Sequence, residues 1–391
     1  YKSSIFKDDL MAALIVVAML VPQGMAYAMI AGLPPIMGLY ASVIPMIIYA
    51  MVGSSLTLSI GPVALISMMT FATLEPLYEV GSPVYIQAAC LLAVMVGVIS
   101  FLLGLFRFGF LIRLISHPVI QSFIIASALL IVLSQVKFLL DIPLQSSNII
   151  QFSQSLWEYI GLSHIATFGF GIAAILFLIY IPKLLKSKKI AAFISSSQFL
   201  NRAVPLILVL VSIALVYFVH IDQIGIKTVG EIPVGFPPLS MPFWTWELVK
   251  TLLPGAFMIA MVSFVESISI AQATAFQKRS ELNSNQELVA LGLANLGAGI
   301  SSAFPVSGSL SRTVVNADAG AKTPMAGVIS SILIVIVSLY FTELFALLPL
   351  SILAATIIVS IWKLVSIKPF VDAWKYSKAD GFAMLVTFLG V

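Results

Sequence analysis

Apolar runs separated by short polar connections fill the chain from end to end. Most runs hold about 17 to 25 residues, enough for a helix to cross a hydrocarbon layer roughly 30 Å thick, and strict alternation of apolar and polar residues is absent. The pattern therefore predicts an all-α polytopic membrane protein. The predicted spans are 9–32, 35–52, 60–74, 84–105, 110–136, 163–182, 203–220, 249–275, 287–303, 306–319, 323–347, 349–366 and 380–391.

The composition supports the membrane assignment and disfavours enzyme chemistry. Of 391 residues, 60% are hydrophobic and 9% are charged, with a mean hydropathy of +1.11, whereas about a quarter of a soluble domain is charged. One cysteine and three scattered histidines make no disulfide or metal cluster, and no phosphate loop, dinucleotide fingerprint or HExxH motif occurs. We expect no enzyme activity, no cofactor and no metal.

The basic residues follow membrane topology. The net charge is +4, and if the N-terminus is cytoplasmic, most lysines and arginines fall in inner connections, as the positive-inside rule requires. We therefore expect a plasma (inner) membrane protein with a cytoplasmic N-terminus and no nucleic-acid partner. Because the chain begins without methionine and ends inside the apolar run GFAMLVTFLGV, we also expect it to be part of a longer protein.

A long polar connection rich in proline and glycine divides the spans into two blocks. Each block holds about seven spans, and an odd number inserts the second block upside down relative to the first. A short segment interrupted by glycine and proline is the third span of each block, which is typical of inverted-repeat transporters. The sequence predicts a first repeat at 1–220, an extracellular connection at 221–248, and a second repeat at 249–391 that is truncated before its last span.

The two short segments, LSIGPVALISMMTFATLEP and FPVSGSLSRTVVNADAG, are interpreted as half-helices. As helices, residues 62–74 and 305–320 reach roughly 20 and 24 Å, too short to cross comfortably. Helix starts inside the membrane present unpaired N–H groups and a positive dipole end to an anion. We expect residues 61–64 and 305–308 to open the helices, with Pro62 in the first turn. The alternative is that each proline kinks a continuous helix.

Arg312 lies inside the second half-helix. Arginine near the bilayer centre costs on the order of 2.5 to 3.5 kcal/mol on insertion scales, so a negative group is expected beside it. A substrate anion is one candidate and Glu266 is the other. The two side chains form a structural ion pair in one interpretation. In the other, Glu266 exchanges a proton, and an anion that competes for Arg312 couples proton uptake to anion binding.

Polar side chains at helical spacing add hydrogen-bond donors for an oxyanion. Gln23 and Tyr27 are one turn apart and share a face of the first span, and the same spacing predicts that Ser307 and Ser311 share a face of the second half-helix. We therefore include all four in the predicted anion site.

Five longer motifs resemble the sulfate permease (SulP) family of anion transporters, from about Asp8 to the end of the chain. They are VPQGMAYAMIAGLPPIMGLYAS, SIGPVALISMM, RFGFLIRLISHPVIQSF, SFVESISIAQATA and NQELVALGLANLGAGISSAFPVSGSLSRTVVNADAGAKT. The resemblance implies a seven-plus-seven inverted repeat with core and gate subdomains, half-helices at the third and tenth spans, elevator-like movement and a homodimer. It also implies a C-terminal cytoplasmic STAS domain, which is absent from this chain.

The resemblance further implies where the anion binds. In the family, it lies between the half-helices, in contact with the glutamine and aromatic residue of the first-span PQGxAY motif and with the Ser-Arg pair of the tenth span. These positions are Gln23, Tyr27, Ser311 and Arg312 here, with Val63 and Ala64 at the opposing helix start. The eighth-span FVESIS is similar to plant-type carriers thought to couple to protons, which makes Glu266 the proton-coupling candidate.

These observations favour a secondary active transporter that couples sulfate uptake to protons across the lipid bilayer. Sodium-coupled or exchange transport of bicarbonate, dicarboxylate or chloride remains an alternative. A channel-like or voltage-responsive protein that binds an anion without full transport is another.

Overall fold

The predicted apolar spans form helices in the computed structural model, which describes residues 3–113, 117–144, 149–185, 197–230, 235–278, 282–362 and 365–390. The first half of the chain contains α1 (Ser3–Ile30), α2 (Pro35–Tyr40), α3 (Ile44–Val52), β1 (Ile60–Gly61), α4 (Ala64–Leu74), α5 (Pro83–Leu105), α6 (His117–Leu140), α7 (Ile149–Tyr159), α8 (Ile165–Leu185) and α9 (Ser197–Val219). The second half contains α10 (Trp246–Lys278), α11 (Ser284–Ile300), β2 (Ser307–Gly308), α12 (Leu310–Asp318), α13 (Met325–Tyr340), α14 (Thr342–Ala346), α15 (Leu350–Trp362), α16 (Lys368–Tyr376) and α17 (Lys378–Gly390).

Five helical segments are long and apolar enough to cross a membrane among the described residues. They are Ser3–Ile30, Pro35–Val52, Pro83–Leu105, Ile165–Leu185 and Trp246–Gln272. This confirms the prediction of a helical membrane protein.

Several predicted spans differ in detail from the helices that form. The predicted span at 35–52 is divided into α2 and α3. The predicted span at 110–136 begins inside a 3₁₀ turn at Phe108–Arg113, and its helix, α6, begins only at His117. The short helices α7 and α16 were not predicted, because their mixed apolar and polar sequences lack the continuous apolar run of a membrane span. Element ends, rather than element types, account for most of the differences.

The chain divides into two compact units, and each unit takes segments from both halves of the sequence. Unit 1 comprises residues 1–110 and 231–343, and unit 2 comprises residues 111–230 and 344–391. The units agree in number with the core and gate subdomains that the family resemblance implies. The predicted repeats, with boundaries at 220 and 249, are related by internal symmetry and are not the same as these compact units, so they stay a prediction. Residues 231–234 of the predicted connection lie outside the described residues.

Unit 1 contains the two interrupted helices that the sequence predicts. α4 has 11 residues and α12 has 9, so at 1.5 Å per residue they extend about 16 and 14 Å, roughly half of the hydrocarbon thickness. Each follows a two-residue strand, β1 or β2, in which the backbone is extended. The alternative of a proline-kinked continuous helix is therefore wrong at both places.

Candidate anion-binding site

The two strands pair with each other and bring the two helix starts together. β1 and β2 are antiparallel, with Ile60 opposite Gly308 and Gly61 opposite Ser307. The pairing continues on one side, where the Ser309 N–H donates to the Ser59 carbonyl at 3.0 Å. Because each strand leads directly into a half-helix, this short ladder fixes where α4 and α12 begin relative to each other.

Side chains from neighbouring helices satisfy the backbone of the residues that lead into α12. Asn295 on α11 binds both backbone groups of Val306: its Oδ1 accepts from the N–H at 2.9 Å, and its Nδ2 donates to the carbonyl at 3.0 Å. On α10, Ser263 donates to the same carbonyl at 3.2 Å, and the Ser267 hydroxyl accepts from the Gly308 N–H at 2.9 Å. Extended backbone is tolerated in this buried segment because the backbone groups of Val306 and the Gly308 N–H have side-chain partners.

The half-helices begin later than the sequence predicts. α4 begins at Ala64 with Val63 as its N-cap residue, so Pro62 precedes the cap and is not in the first turn. α12 begins at Leu310 with Ser309 as its N-cap residue. The prediction that residues 305–308 open this helix is wrong, because the hydrogen bonds of the short ladder and of α10 and α11 hold them extended.

The two helix starts differ in how their free N–H groups are satisfied. Val63 has an apolar side chain and cannot accept a hydrogen bond, so it leaves the first N–H groups of α4 without a side-chain cap. The Ser309 hydroxyl accepts a long hydrogen bond, 3.5 Å, from the Arg312 N–H. Val63 and Ala64 are both buried, with 9% and 6% exposure. The start of α4 therefore lacks a side-chain cap that the start of α12 has, and uncapped N–H groups at a helix start are suited to an anion.

Arg312 is fully buried and only partly satisfied by the protein. Its side chain is 0% exposed, and Nη1 donates to the Pro62 carbonyl at 2.9 Å. Nε and Nη2 have no hydrogen-bond partner among the described residues. The guanidinium thus links α12 to Pro62, the residue before the α4 N-cap. The N–H groups on its other two nitrogen atoms are available to bind another group. A buried guanidinium with unpaired donors costs free energy, and an anionic ligand beside it would offset that cost.

Glu266 lies near the guanidinium without forming an ion pair with it. In the described part of the chain, the carboxylate and guanidinium do not approach within the 4.0 Å that defines an ion pair, whereas Lys227 and Asp141 do so at 2.7 Å. The interpretation of a structural Glu266–Arg312 pair is therefore wrong. Glu266 is half-buried, and Oε2 lies 3.5 Å from the Ser307 hydroxyl. Both Glu266 and Tyr27 are close enough to Arg312 to interact with it electrostatically.

α1 places Gln23 and Tyr27 in the interior of unit 1. Both are buried, with 5% and 6% exposure, and Gln23 Oε1 lacks a hydrogen-bond partner in the described ranges. Gly38 of α2 allows a close approach to the neighbouring residue Gly24, because a Cβ built on Gly38 would lie 1.9 Å from the Gly24 carbonyl oxygen. Close packing of α1 on α2 therefore holds Gln23 in place.

Ser307 and Ser311 do not share a helix face, and this prediction is wrong. Ser307 lies in β2, fully buried, with its hydroxyl 3.0 Å from the Ser267 hydroxyl and 3.2 Å from the Ser263 carbonyl. Ser311 lies in the first turn of α12, exposed, with its hydroxyl 3.3 Å from that of Ser309. Ser311 therefore remains accessible to a ligand, whereas the Ser307 hydroxyl already has protein partners.

Sequence reasoning missed several residues that support the site. Asn295 stands out in retrospect as a buried amide among alanine, glycine and leucine on α11. Glu287, on the first turn of α11, was overlooked because it lies at the predicted boundary of a span. It is buried, and its carboxylate accepts from the Tyr49 hydroxyl at 2.7 Å, from the Ser54 N–H and hydroxyl at 2.7 Å each, and from the Ser55 N–H at 3.1 Å. This network holds the segment that leads into β1.

Two interrupted helices that meet at a buried arginine, within a bundle of apolar helices, define a broken-helix membrane protein with a candidate anion site. The model of the sulfate permease family matches residues 6–387, and the chain belongs to this family. It is 40% identical over 97% of its length to Sulfate transporter 4.1, chloroplastic, of Arabidopsis thaliana, and 33% identical over its full length to a probable sulfate transporter of Mycobacterium tuberculosis.

The chain spans 54% of the Arabidopsis protein and 67% of the mycobacterial one. Among solved structures, it resembles murine Slc26a9, described as an anion transporter in the inward-facing state, with a TM-score of 0.89 and 25% identity over the whole chain and 66% of that protein. The transmembrane domain of the cyanobacterial bicarbonate transporter BicA has the same fold, with a TM-score of 0.85 and 20% identity over the whole chain and 96% of that domain.

Gly61 provides a test of the guanidinium position. Its φ of +154° is unfavourable for other residues, and a Cβ there would lie 3.2 Å from Arg312 Nη2. We expect Gly61→Ala to displace the guanidinium and weaken sulfate binding to the purified protein by about tenfold, the equivalent of about 1.4 kcal/mol. Gly81→Ala is the matched control, because Gly81 also has positive φ, +80°, but no atom within 4 Å of its Cβ position. Equal binding by both variants would contradict the placement.

Proposed function

We propose that the chain is the membrane domain of a secondary active anion transporter that couples sulfate uptake to protons. The buried Arg312 side chain carries this proposal, because Nε and Nη2 find no partner in the described part of the protein. A tetrahedral oxyanion accepts hydrogen bonds from a guanidinium in a fork geometry, and it also suits the uncapped N–H groups at the start of α4.

The choice of sulfate is supported by the relatives rather than by the geometry. Curated relatives from a plant and a mycobacterium are named as sulfate transporters, the first at 40% identity. The site residues that we propose for the anion are Gln23, Tyr27, Val63, Ala64, Ser307, Ser311 and Arg312. Ser307 is proposed in a supporting role, because its hydroxyl lies within hydrogen-bond distance of α10.

Proton coupling is proposed to act through Glu266. This carboxylate has no ion-pair partner among the described residues, and it interacts electrostatically with Arg312 and approaches Ser307. An anion bound to Arg312 places negative charge in the same neighbourhood, which makes ionised Glu266 less favourable. Anion binding and proton binding at Glu266 then reinforce each other, as symport requires.

The candidate residues all belong to unit 1, which is consistent with elevator-like alternating access. Because that unit has its own packed contacts and contains the whole site, it can carry a bound anion as one body. The homodimer, the plasma membrane location and the cytoplasmic N-terminus are proposed on the family resemblance and the distribution of basic residues.

Reconstitution of the full-length protein in proteoliposomes tests the function. We expect saturable uptake of radiolabelled sulfate that is faster under an inward proton gradient. Competition with bicarbonate, chloride, oxalate and dicarboxylates measures selectivity, and unlabelled sulfate serves as the positive control. Uptake that requires sodium or internal bicarbonate would favour the alternative of coupled bicarbonate movement or exchange. A current that follows voltage without saturation would favour a channel-like protein.

A further inference from the structure

Unit 1 contains a cavity separate from the residues assigned to the anion. It encloses about 10 Å³ and is bordered by α1, α3, α12, α13 and the segment that leads into β1; its lining includes Val16, Met46, Ser59, Asn316 and Gly327. A cavity needs a volume of about 10–15 Å³ to hold one water molecule. The cavity is therefore large enough for about one water and too small for sulfate.

Two lining side chains have buried oxygen atoms that other groups leave unsatisfied. Ser59 and Asn316 are 5% and 7% exposed. Neither Ser59 Oγ nor Asn316 Oδ1 has a hydrogen-bond partner within the described ranges. Buried polar atoms are almost always hydrogen-bonded to protein or to ordered water, so each of these two oxygens is expected to have a partner, and the cavity that both residues line offers space for one.

Neighbouring hydrogen bonds hold both residues in place. Asn316 Nδ2 donates to the Thr57 carbonyl at 3.0 Å, and the Ser59 N–H donates to the Thr313 hydroxyl at 3.0 Å. The Asn316 amide orientation is fixed by the first of these bonds, because its nitrogen must face the carbonyl. Its Oδ1 is consequently an acceptor that needs a donor from elsewhere.

We propose that the cavity is a hydration site in which one ordered water bridges Ser59 Oγ and Asn316 Oδ1. A water molecule can donate one proton to each oxygen, which satisfies both atoms at once. The bridge adds a link between α12 and the segment that precedes β1, beside the two direct hydrogen bonds. The water therefore helps to fix α12, which carries Arg312, against the backbone that leads to Gly61.

Water fits this cavity better than a metal cation. None of its described lining residues is acidic, whereas hard cations take about six oxygen ligands with carboxylates prominent among them. Tyr49 also lines the cavity, but its hydroxyl donates to Glu287, and both oxygens of that carboxylate accept hydrogen bonds from the protein.

Electron cryomicroscopy of the full-length protein in lipid nanodiscs, at a resolution that shows buried waters, tests this inference. We expect a density peak at about 2.7–3.2 Å from both Ser59 Oγ and Asn316 Oδ1. The peak should be present in sodium buffer and when choline replaces sodium. In Ser59→Ala the peak should be lost or weakened, and in Ser100→Ala it should remain. Ser100 is the matched control, since its buried hydroxyl also lacks a partner in the described chain but does not line this cavity.

A map that resolves other buried waters but shows no peak here would overturn the proposal. A peak that requires sodium would also overturn it, because the occupant would then be a cation. Full density in Ser59→Ala would reject the bridge. If Ser59→Ala does not fold, the wild-type maps with and without sodium decide the question. None of these outcomes depends on which anion the protein carries.

Discussion

Replacing Arg312 with alanine is expected to weaken sulfate binding by roughly 150- to 4000-fold. Arg312 is fully buried, and its Nε and Nη2 remain without partners among the described groups. Removing one member of a buried charge pair costs about 3–5 kcal/mol, and each 1.4 kcal/mol is about tenfold in affinity. Sulfate binding to the purified full-length protein, measured by calorimetry, provides the test. Wild-type affinity in Arg312→Ala would reject the assignment.

A conservative variant separates the geometry of Arg312 from its charge. One nitrogen of the guanidinium donates to the Pro62 carbonyl while two others remain available. Lysine keeps the charge but has a single nitrogen and cannot reproduce this fork. We expect Arg312→Lys to bind sulfate about tenfold or more weakly than wild type. Arg107→Lys, at an exposed arginine, is the control and should bind normally. Equal effects of the two variants would contradict the proposed fork.

Glu266→Gln is expected to remove the proton dependence of sulfate uptake. In the wild type, acidifying the outside should accelerate uptake, because in the proposed coupling protonated Glu266 favours anion binding and the proton enters with the anion. Glutamine cannot release a proton, so the variant should transport at a rate that does not change with the inward proton gradient. Sulfate uptake by proteoliposomes at fixed internal pH and stepped external pH measures this. The ratio of the uptake rates at acidic and neutral external pH is the decisive quantity, since a general loss of activity lowers both rates by the same factor and leaves their ratio unchanged.

Glu247→Gln is the matched control for this experiment. Glu247 lies in the first turn of the same helix, α10, but its side chain is exposed and the residue is far along the sequence from Glu266. Its substitution changes the same functional group and should leave the pH response intact. A Glu266→Gln variant that keeps the wild-type response would show that protons couple through another group.

The helical architecture could be predicted because each transmembrane helix has a strong local signal. A continuous apolar run shows directly how long its helix is. A single segment in lipid can satisfy its own backbone N–H and C=O groups only as a helix. The two half-helices were predictable for a related reason, since their segments are too short and too polar to span. The repeat boundaries at 220 and 249 stay a prediction.

The start of α12 was mispredicted because it depends on partners distant in sequence. Strand residues Ser307 and Gly308 pair with Gly61 and Ile60, and Asn295 holds Val306. A two-residue strand has too few residues to show a period of two. Pro305 and Gly308 are compatible with the start of a helix as well as with an extended strand. Tertiary hydrogen bonds decide between these alternatives, and local sequence does not contain them.

The relation between Glu266 and Arg312 was likewise beyond the reach of sequence. Both residues are rare charges in apolar spans, and that rarity predicts that they lie in one site. Whether they touch depends on a few ångströms of helix placement. The side chains are near enough to interact electrostatically but do not form an ion pair, which leaves each able to bind a different partner.

Anion density at the helix starts is the most direct test of the site. A crystal structure of the full-length protein grown with selenate, which replaces sulfate and is located by its anomalous signal, gives the position without ambiguity. The account predicts one peak within hydrogen-bonding reach of Arg312 and beside the backbone of Val63 and Ala64, and no such peak in Arg312→Ala. A bound selenate located elsewhere, with this site unoccupied in the wild type, would contradict it.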